Sequence, residues 1–330
     1  MEFLTAYFLF VAKGVTLLVF LLLGLLLVVA IVSRGKKQDK DDREALEVTY
    51  LNSELFDDKL QLQADLLDKA ERKQIKKSPI KPDKSKSRLF VIDFDGDIYA
   101  SETSGLRRQI TAILQAADKD KDKVLLCLES PGGVVHGYGL AASQLSRLRA
   151  AGIPLVVAVD KVAASGGYMM ACVADEIVAA PFAVLGSIGV VAQVPNIHRL
   201  LKENKVDVEL HTAGKYKRTL TLLGENTDEG REKFLAELEL THDLFKSHIH
   251  KFRPQIDIDT VATGETWYGQ QAIENQLADK LMTSDDYILS AAQEMDIYQL
   301  SISHKQGFIE KLKEQFMHKQ KAQISDRYFM

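Results

Sequence analysis

From Arg88 onward, short apolar runs alternate with amphipathic stretches of helical spacing, and this rhythm leaves the chain few folds to choose from. Leu89 to Phe94, Val124 to Leu128 and Pro154 to Val159 have the length of strands; Leu106 to Ala117 and Gly139 to Arg149 lie between them with apolar residues at helical intervals. Strands joined by single helices build βαβ units, which give a largely parallel sheet covered on both faces. The expectation is an α/β domain whose functional loops lie at the carboxyl ends of the strands.

The run from Ile177 to Pro195 is nearly apolar enough to suggest a membrane span. Pro181, Gly186, Ser187 and Gly189 break it and Asp175-Glu176 stand at its start, so a buried strand-turn-strand fits better. Beyond it the pattern predicts a helix around Ile197 to Asn204, a strand from Val208 to Thr212, and a long amphipathic helix from Asp228 to Phe252. Shorter helices follow around Tyr268 to Gln276 and from Ser284 to Met295.

The N-terminal part reads differently. Val15 to Val32 is an 18-residue run without a charge, extended upstream with only Lys13 interrupting, and is long enough to cross a hydrocarbon core as a helix. Ala30-Ile31-Val32-Ser33 is a poor cleavage site, so residues 1–33 are expected as an uncleaved anchor, with 8–32 in the lipid bilayer. Arg34, Lys36, Lys37 and Lys40 follow directly, which by the positive-inside rule places the downstream chain in the cytoplasm. Residues 34–87 read as a charged, solvated helical stalk and linker, 88–300 as the globular domain and 301–330 as a charged tail.

Composition excludes several functions. A net charge of −4, with basic residues scattered or gathered near the N-terminus, gives no support to nucleic-acid binding. Cys127 and Cys172 sit in apolar runs without ligand spacing and are expected to pack in the core. His242, His248 and His250 share a helical segment but no pair is four residues apart, so neither a metal nor another cofactor is expected.

Two stretches can carry chemistry. In Val162-Ala163-Ala164-Ser165-Gly166-Gly167-Tyr168 a serine stands at a strand-to-helix turn among small residues, placed either as a nucleophile or as a helix N-cap. In Glu129-Ser130-Pro131-Gly132-Gly133-Val134 the proline fixes φ and the glycines can turn backbone N–H groups outward, which makes either an oxyanion hole or an ordinary βα turn. A nucleophilic serine needs a base. His136, His198 and His211 are nearest in sequence, and Lys215 and Lys217 after the next strand offer the other route, a lysine neutralised by desolvation.

Ser130-Pro131-Gly132-Gly133, Ala163-Ala164-Ser165-Gly166-Gly167-Tyr168, Gly186-Ser187-Ile188-Gly189-Val190 and Gly214-Lys215-Tyr216-Lys217 together resemble the signal peptide peptidase A family of serine peptidases, in that family's order. The likeness runs from about Arg88 to Met295, and the anchor with its charged stalk is similar to the family's shorter, membrane-anchored members. The resemblance implies a ClpP/crotonase-like fold and a membrane-anchored serine endopeptidase acting on signal peptides or unfolded peptides through an acyl-enzyme. It implies Ser165 as nucleophile, Lys217 as general base, Ser187 as the hydroxyl that holds the lysine, and the N–H groups of Gly133 and Gly166 as oxyanion donors. Lys215 becomes a solvated neighbour. A single catalytic unit, where the longest members carry two in tandem, implies a homo-oligomer. Family members are placed on the outer side of the bacterial inner membrane, opposite to the positive-inside reading. The competing readings are a crotonase-like acyl-CoA hydratase or isomerase, and a non-catalytic membrane scaffold.

Overall fold

The computed structural model describes residues 45–63, 81–83 and 85–303, together with scattered positions between 7 and 24. Most of the expected span and stalk, and the tail beyond 303, lie outside the described residues; among the described residues no helix is long and apolar enough to cross a membrane. The chain divides into two compact units, 1–45 with 303–330 and 46–302, and the second carries the features below.

Its elements run β1 (Ala45–Tyr50), α1 (Leu51–Leu62), β2 (Arg88–Asp95), α2 (Thr103–Ala116), β3 (Lys123–Glu129), α3 (Val135–Ala150), β4 (Leu155–Val159), β5 (Val162–Ala164), α4 (Gly166–Ala171), β6 (Glu176–Ala179), β7 (Val184–Gly186), α5 (His198–Glu203), α6 (Asp228–Phe252), α7 (Ile258–Val261), β8 (Thr266–Tyr268), α8 (Gly269–Glu274), β9 (Lys280–Leu281), α9 (Ser284–Ala291) and β10 (Asp296–Ser303). The larger sheet has the order β1-β10-β2-β3-β4-β6-β9, and every pair from β10 to β9 is parallel. The expected α/β architecture of βαβ units is therefore present.

Side chains alternate across a strand, so a sheet covered on both sides needs apolar residues at successive positions. Phe90, Ile92 and Phe94 of β2, Val124, Leu126 and Leu128 of β3, and Leu155, Val157 and Val159 of β4 enter one core, against Leu106, Ile110 and Ile113 of α2 and Leu145 and Leu148 of α3. The residues between them, Leu89, Val91, Leu125, Val156 and Ala158, enter a second core that includes Tyr287 and Ile288 of α9 and Leu51 of α1. Each fully buried leucine of these strands is worth about 1.5–3 kcal/mol of burial, which fixes the register. Cys172 is buried, and Cys127 is partly buried against the second core.

Three findings differ from the sequence reading. Residues 45–50, read as helical stalk, form a strand of the main sheet, where Tyr50 donates a hydrogen bond to Asp296 at 2.9 Å. Val208 to Thr212 is not a strand: it is exposed and has no pairing partner among the described residues, so its β-branched residues have nothing to pack on. A second, three-stranded sheet, β5-β7-β8, was not expected; β5 pairs parallel with β7, and β7 antiparallel with β8. This small sheet delivers both Ser165, directly after β5, and Ser187, directly after β7.

Candidate active site

The turn after β3 and the turn after β5 meet. Ser130 bridges to Ala163, donating its N–H to the Val162 carbonyl at 2.8 Å and accepting at its own carbonyl from Ala164 N–H at 3.0 Å. The approach is so close that only glycine fits at 132. A Cβ there would stand 2.7 Å from the Ala164 oxygen, the Gly166 nitrogen and the Ser165 Cβ, and φ at this position is +90°. Gly133 follows, with Val134 N–H bonded to the Ile98 carbonyl at 2.8 Å, so the loop from 96 to 100 walls its far side.

Ser165 takes φ +52° and ψ −115°, conformations that L-residues avoid at a cost of about 1–3 kcal/mol. Its N–H is held by the Gly186 carbonyl at 2.8 Å, and its carbonyl accepts from Met169 N–H at 2.9 Å as the first helical bond of α4. The N-cap alternative required the side chain to bond the first turn, and it makes no such bond. Ser165 is half-buried at the start of α4. Ser187 repeats the device with φ +51° and its N–H on the Glu265 carbonyl.

Ser165, Ser187, Gly133 and Gly166 all line one cavity of about 450 Å³. Its apolar wall is formed by Val135, Met169, Val190, Val191 and Phe245. Four of the five expected site residues are thus together. Lys217 is not: it is exposed, on the segment between α5 and α6, and does not line the cavity. Its neighbour Lys215 is exposed as expected and pairs with Glu229 at 2.5 Å, which pushes its ammonium pKa up. Of the histidines first considered as bases, His136, His198 and His211 do not line the cavity, and His136 and His211 are exposed.

His242, Thr241 and Phe245 were missed as site residues. They reach the cavity from α6, whose buried Phe245 and Ile249 seat that helix on the core. His242 keeps its Nε2 buried without a hydrogen-bond partner. The usable signal was helical spacing, which puts His242 one turn before Phe245 on the same face. Nearby, His248 Nε2–H donates to the Met169 carbonyl at 3.0 Å, and burial holds its imidazole below its ordinary pKa.

Ser165, on a strained turn and without a capping bond, thus shares one cavity with Gly133 and Gly166. The chain belongs to peptidase family S49, whose sequence profile matches residues 147–298, with the profile of the family's N-terminal region matching residues 2–145. A protein described as probable protease SohB, from Haemophilus influenzae, is 50% identical over 330 residues, covering 94% of this chain and 92% of the relative. One of the same description from Buchnera aphidicola subsp. Schlechtendalia chinensis is 50% identical over 309 residues, covering 88% of this chain and 100% of the relative. Among solved structures, a mutant of the 1510-N membrane-bound stomatin-specific protease in complex with a substrate peptide is similar at a TM-score of 0.41 and 13% identity, covering 70% of this chain and 98% of that one.

Proposed function

We propose that this chain is a membrane-anchored serine endopeptidase that cleaves unfolded peptides, signal-peptide remnants among them, through an acyl-enzyme on Ser165. The observation that carries the reading is the placement of Ser165, at φ +52° and free of any capping bond, in one cavity with Ser187, Gly133 and Gly166. The Ser165 hydroxyl attacks the scissile carbonyl. The N–H groups of Gly133 and Gly166 stabilise the oxyanion, an effect worth about 10²–10³ in turnover for each donor. Lys217 takes the serine proton and returns it to the leaving amine, and Ser187 orients the lysine amine. Single-pass membrane attachment is supported by the uncharged run from Val15 to Val32, and the bacterial inner membrane by the likeness to the signal peptide peptidase A family.

Because Lys217 is exposed and stands apart from the cavity lining, this mechanism needs its loop to be delivered to Ser165, by closure within one chain or from a neighbouring copy in a homo-oligomer. A mixing experiment separates the two. Ser165→Ala and Lys217→Ala chains are each expected to be inactive on a fluorogenic peptide. If the site is shared between copies, co-assembling the two variants restores part of the activity; if it closes within one chain, the mixture stays inactive. Full activity of Lys217→Ala alone would remove the lysine from the mechanism.

A further inference from the structure

Tyr138, on α3, does not line the cavity and has no part in the chemistry above, yet it is fully buried and lies against both turns, at Ser130 and at Gly166. Its ring underlies Gly166: a Cβ at that glycine would stand 2.4 Å from the Tyr138 Cγ. Its hydroxyl donates to the Asp97 carbonyl at 2.7 Å and lies 2.6 Å from Ser130 Oγ. A phenol has one proton, and with that proton on Asp97 the Ser130 hydroxyl must donate to Tyr138. Ser130 Oγ in turn accepts from Gly132 N–H at 3.1 Å, closing a turn of the Ser/Thr type around Pro131. The directions along the chain Gly132, Ser130, Tyr138, Asp97 are therefore all fixed. Asp97 and Ile98 are the same wall that bonds Val134, so the far end of the chain grips the other flank of Gly133. Burial raises the Tyr138 pKa above its ordinary 10, with the Ser130 bond acting the other way, so the phenol keeps its proton.

We infer that Tyr138 is a positioning residue for the oxyanion hole: its ring sets the height of Gly166 and its hydroxyl, through Ser130, sets the direction of the Gly132-Gly133 turn. The inference rests on the reading of Ser165 as nucleophile and of Gly133 and Gly166 as donors. Misdirected donors weaken the transition state and leave ground-state binding intact, so the loss falls on kcat and not on KM.

The test uses the full-length chain with Tyr138→Phe, which keeps the ring and removes the hydroxyl, alongside Ser130→Ala and the double variant. Each single variant is expected to lower kcat on a fluorogenic peptide by about 10-fold, less than the loss of a whole donor, with KM changed less than about twofold. The double variant is expected to be no slower than the slower single, because both substitutions cut the same chain. Rates are taken per folded molecule, from thermal unfolding followed by circular dichroism. Wild-type kcat in Tyr138→Phe and Ser130→Ala, a rise in KM in place of a fall in kcat, or additive losses in the double variant would each overturn the inference. Ser165→Ala is run in parallel: an active Ser165→Ala chain defeats the underlying reading, whereas an inactive one beside a fully active Tyr138→Phe defeats only the role of Tyr138.

Discussion

Replacing Gly132 by alanine adds one methyl group at the point where the two turns touch. That methyl would stand 2.7 Å from two backbone atoms and from the Ser165 Cβ, against an ordinary contact of about 3.5–4.0 Å. Two of these atoms are main chain and the third is attached to it, so they cannot rotate away and one turn must move. Overpacking of this kind costs about 1–3 kcal/mol, and holding alanine at φ +90° adds about 1–2 kcal/mol. The sum, roughly 2–5 kcal/mol, corresponds to a fall in Tm on the order of 5–20 °C for a domain of this size. Because the displaced atoms belong to Ser165 and Gly166, kcat should fall by at least about 10²-fold, as when an oxyanion donor is lost. Gly139→Ala is the internal control. It lies in the interior of α3, where an added Cβ meets nothing within 4 Å, and alanine there is expected to stabilise by about 0.5–1 kcal/mol and leave kcat unchanged. Thermal unfolding and peptide hydrolysis on the full-length chain read both effects. A Gly132→Ala protein with wild-type Tm and kcat would refute the close approach of the two turns.

Other outcomes follow from the packing around the site. Arg253, 3% exposed, makes two bonds to the Asp279 carboxylate and one to the Gln276 carbonyl; Arg253→Ala is expected to cost about 3 kcal/mol, the low end for a broken buried pair because Asp279 is partly open to water. Urea midpoints check this, and Arg253→Met with Asp279→Asn should recover part of the loss; an equal or larger loss in the double variant would show that the pair is not the cause. Burial holds His248 below its ordinary value of 6.5, so the unfolded chain takes up a proton first as pH falls. Its contribution is full above 6.5 and is lost as pH falls from there through the folded value, and His248→Gln, which keeps a donor for Met169, should lose less stability over that window than the wild type. Parallel profiles for the two proteins would contradict it.

The main sheet was legible because β2, β3 and β4 are buried on both faces, which writes them as unbroken apolar runs, and α6 was legible because its bounds coincide with an amphipathic stretch that starts at the Thr227 cap. The small sheet was not. β5, β7 and β8 are three residues each, too short for a period of two to show, and their pairing brings Gly186 beside Ala164 and Thr266 from distant parts of the chain. β1 was hidden because Glu47, Val48 and the charges around them read as a solvated segment, and only its place beside β10 makes it a strand. At the site, Gly133 and Gly166 were legible as glycines because a Cβ at either would collide with Ile98 or Tyr138, whereas Ser165 and Ser187, serines at positive φ, were legible only through the motifs around them. His242 and Tyr138 do not announce themselves, because a histidine or tyrosine on a helix acquires its neighbours only through packing. Lys217 lies on an exposed loop, where sequence reads chemistry but not reach.

The chemistry proposed for the cavity depends on Ser165 as the nucleophile. The most direct measurement is treatment of the full-length chain with a fluorophosphonate, followed by mass spectrometry of the labelled peptide. One adduct is expected, on Ser165, absent from Ser165→Ala and lost when the protein is unfolded before labelling. An adduct on another residue, or equal labelling of Ser165→Ala, would contradict it.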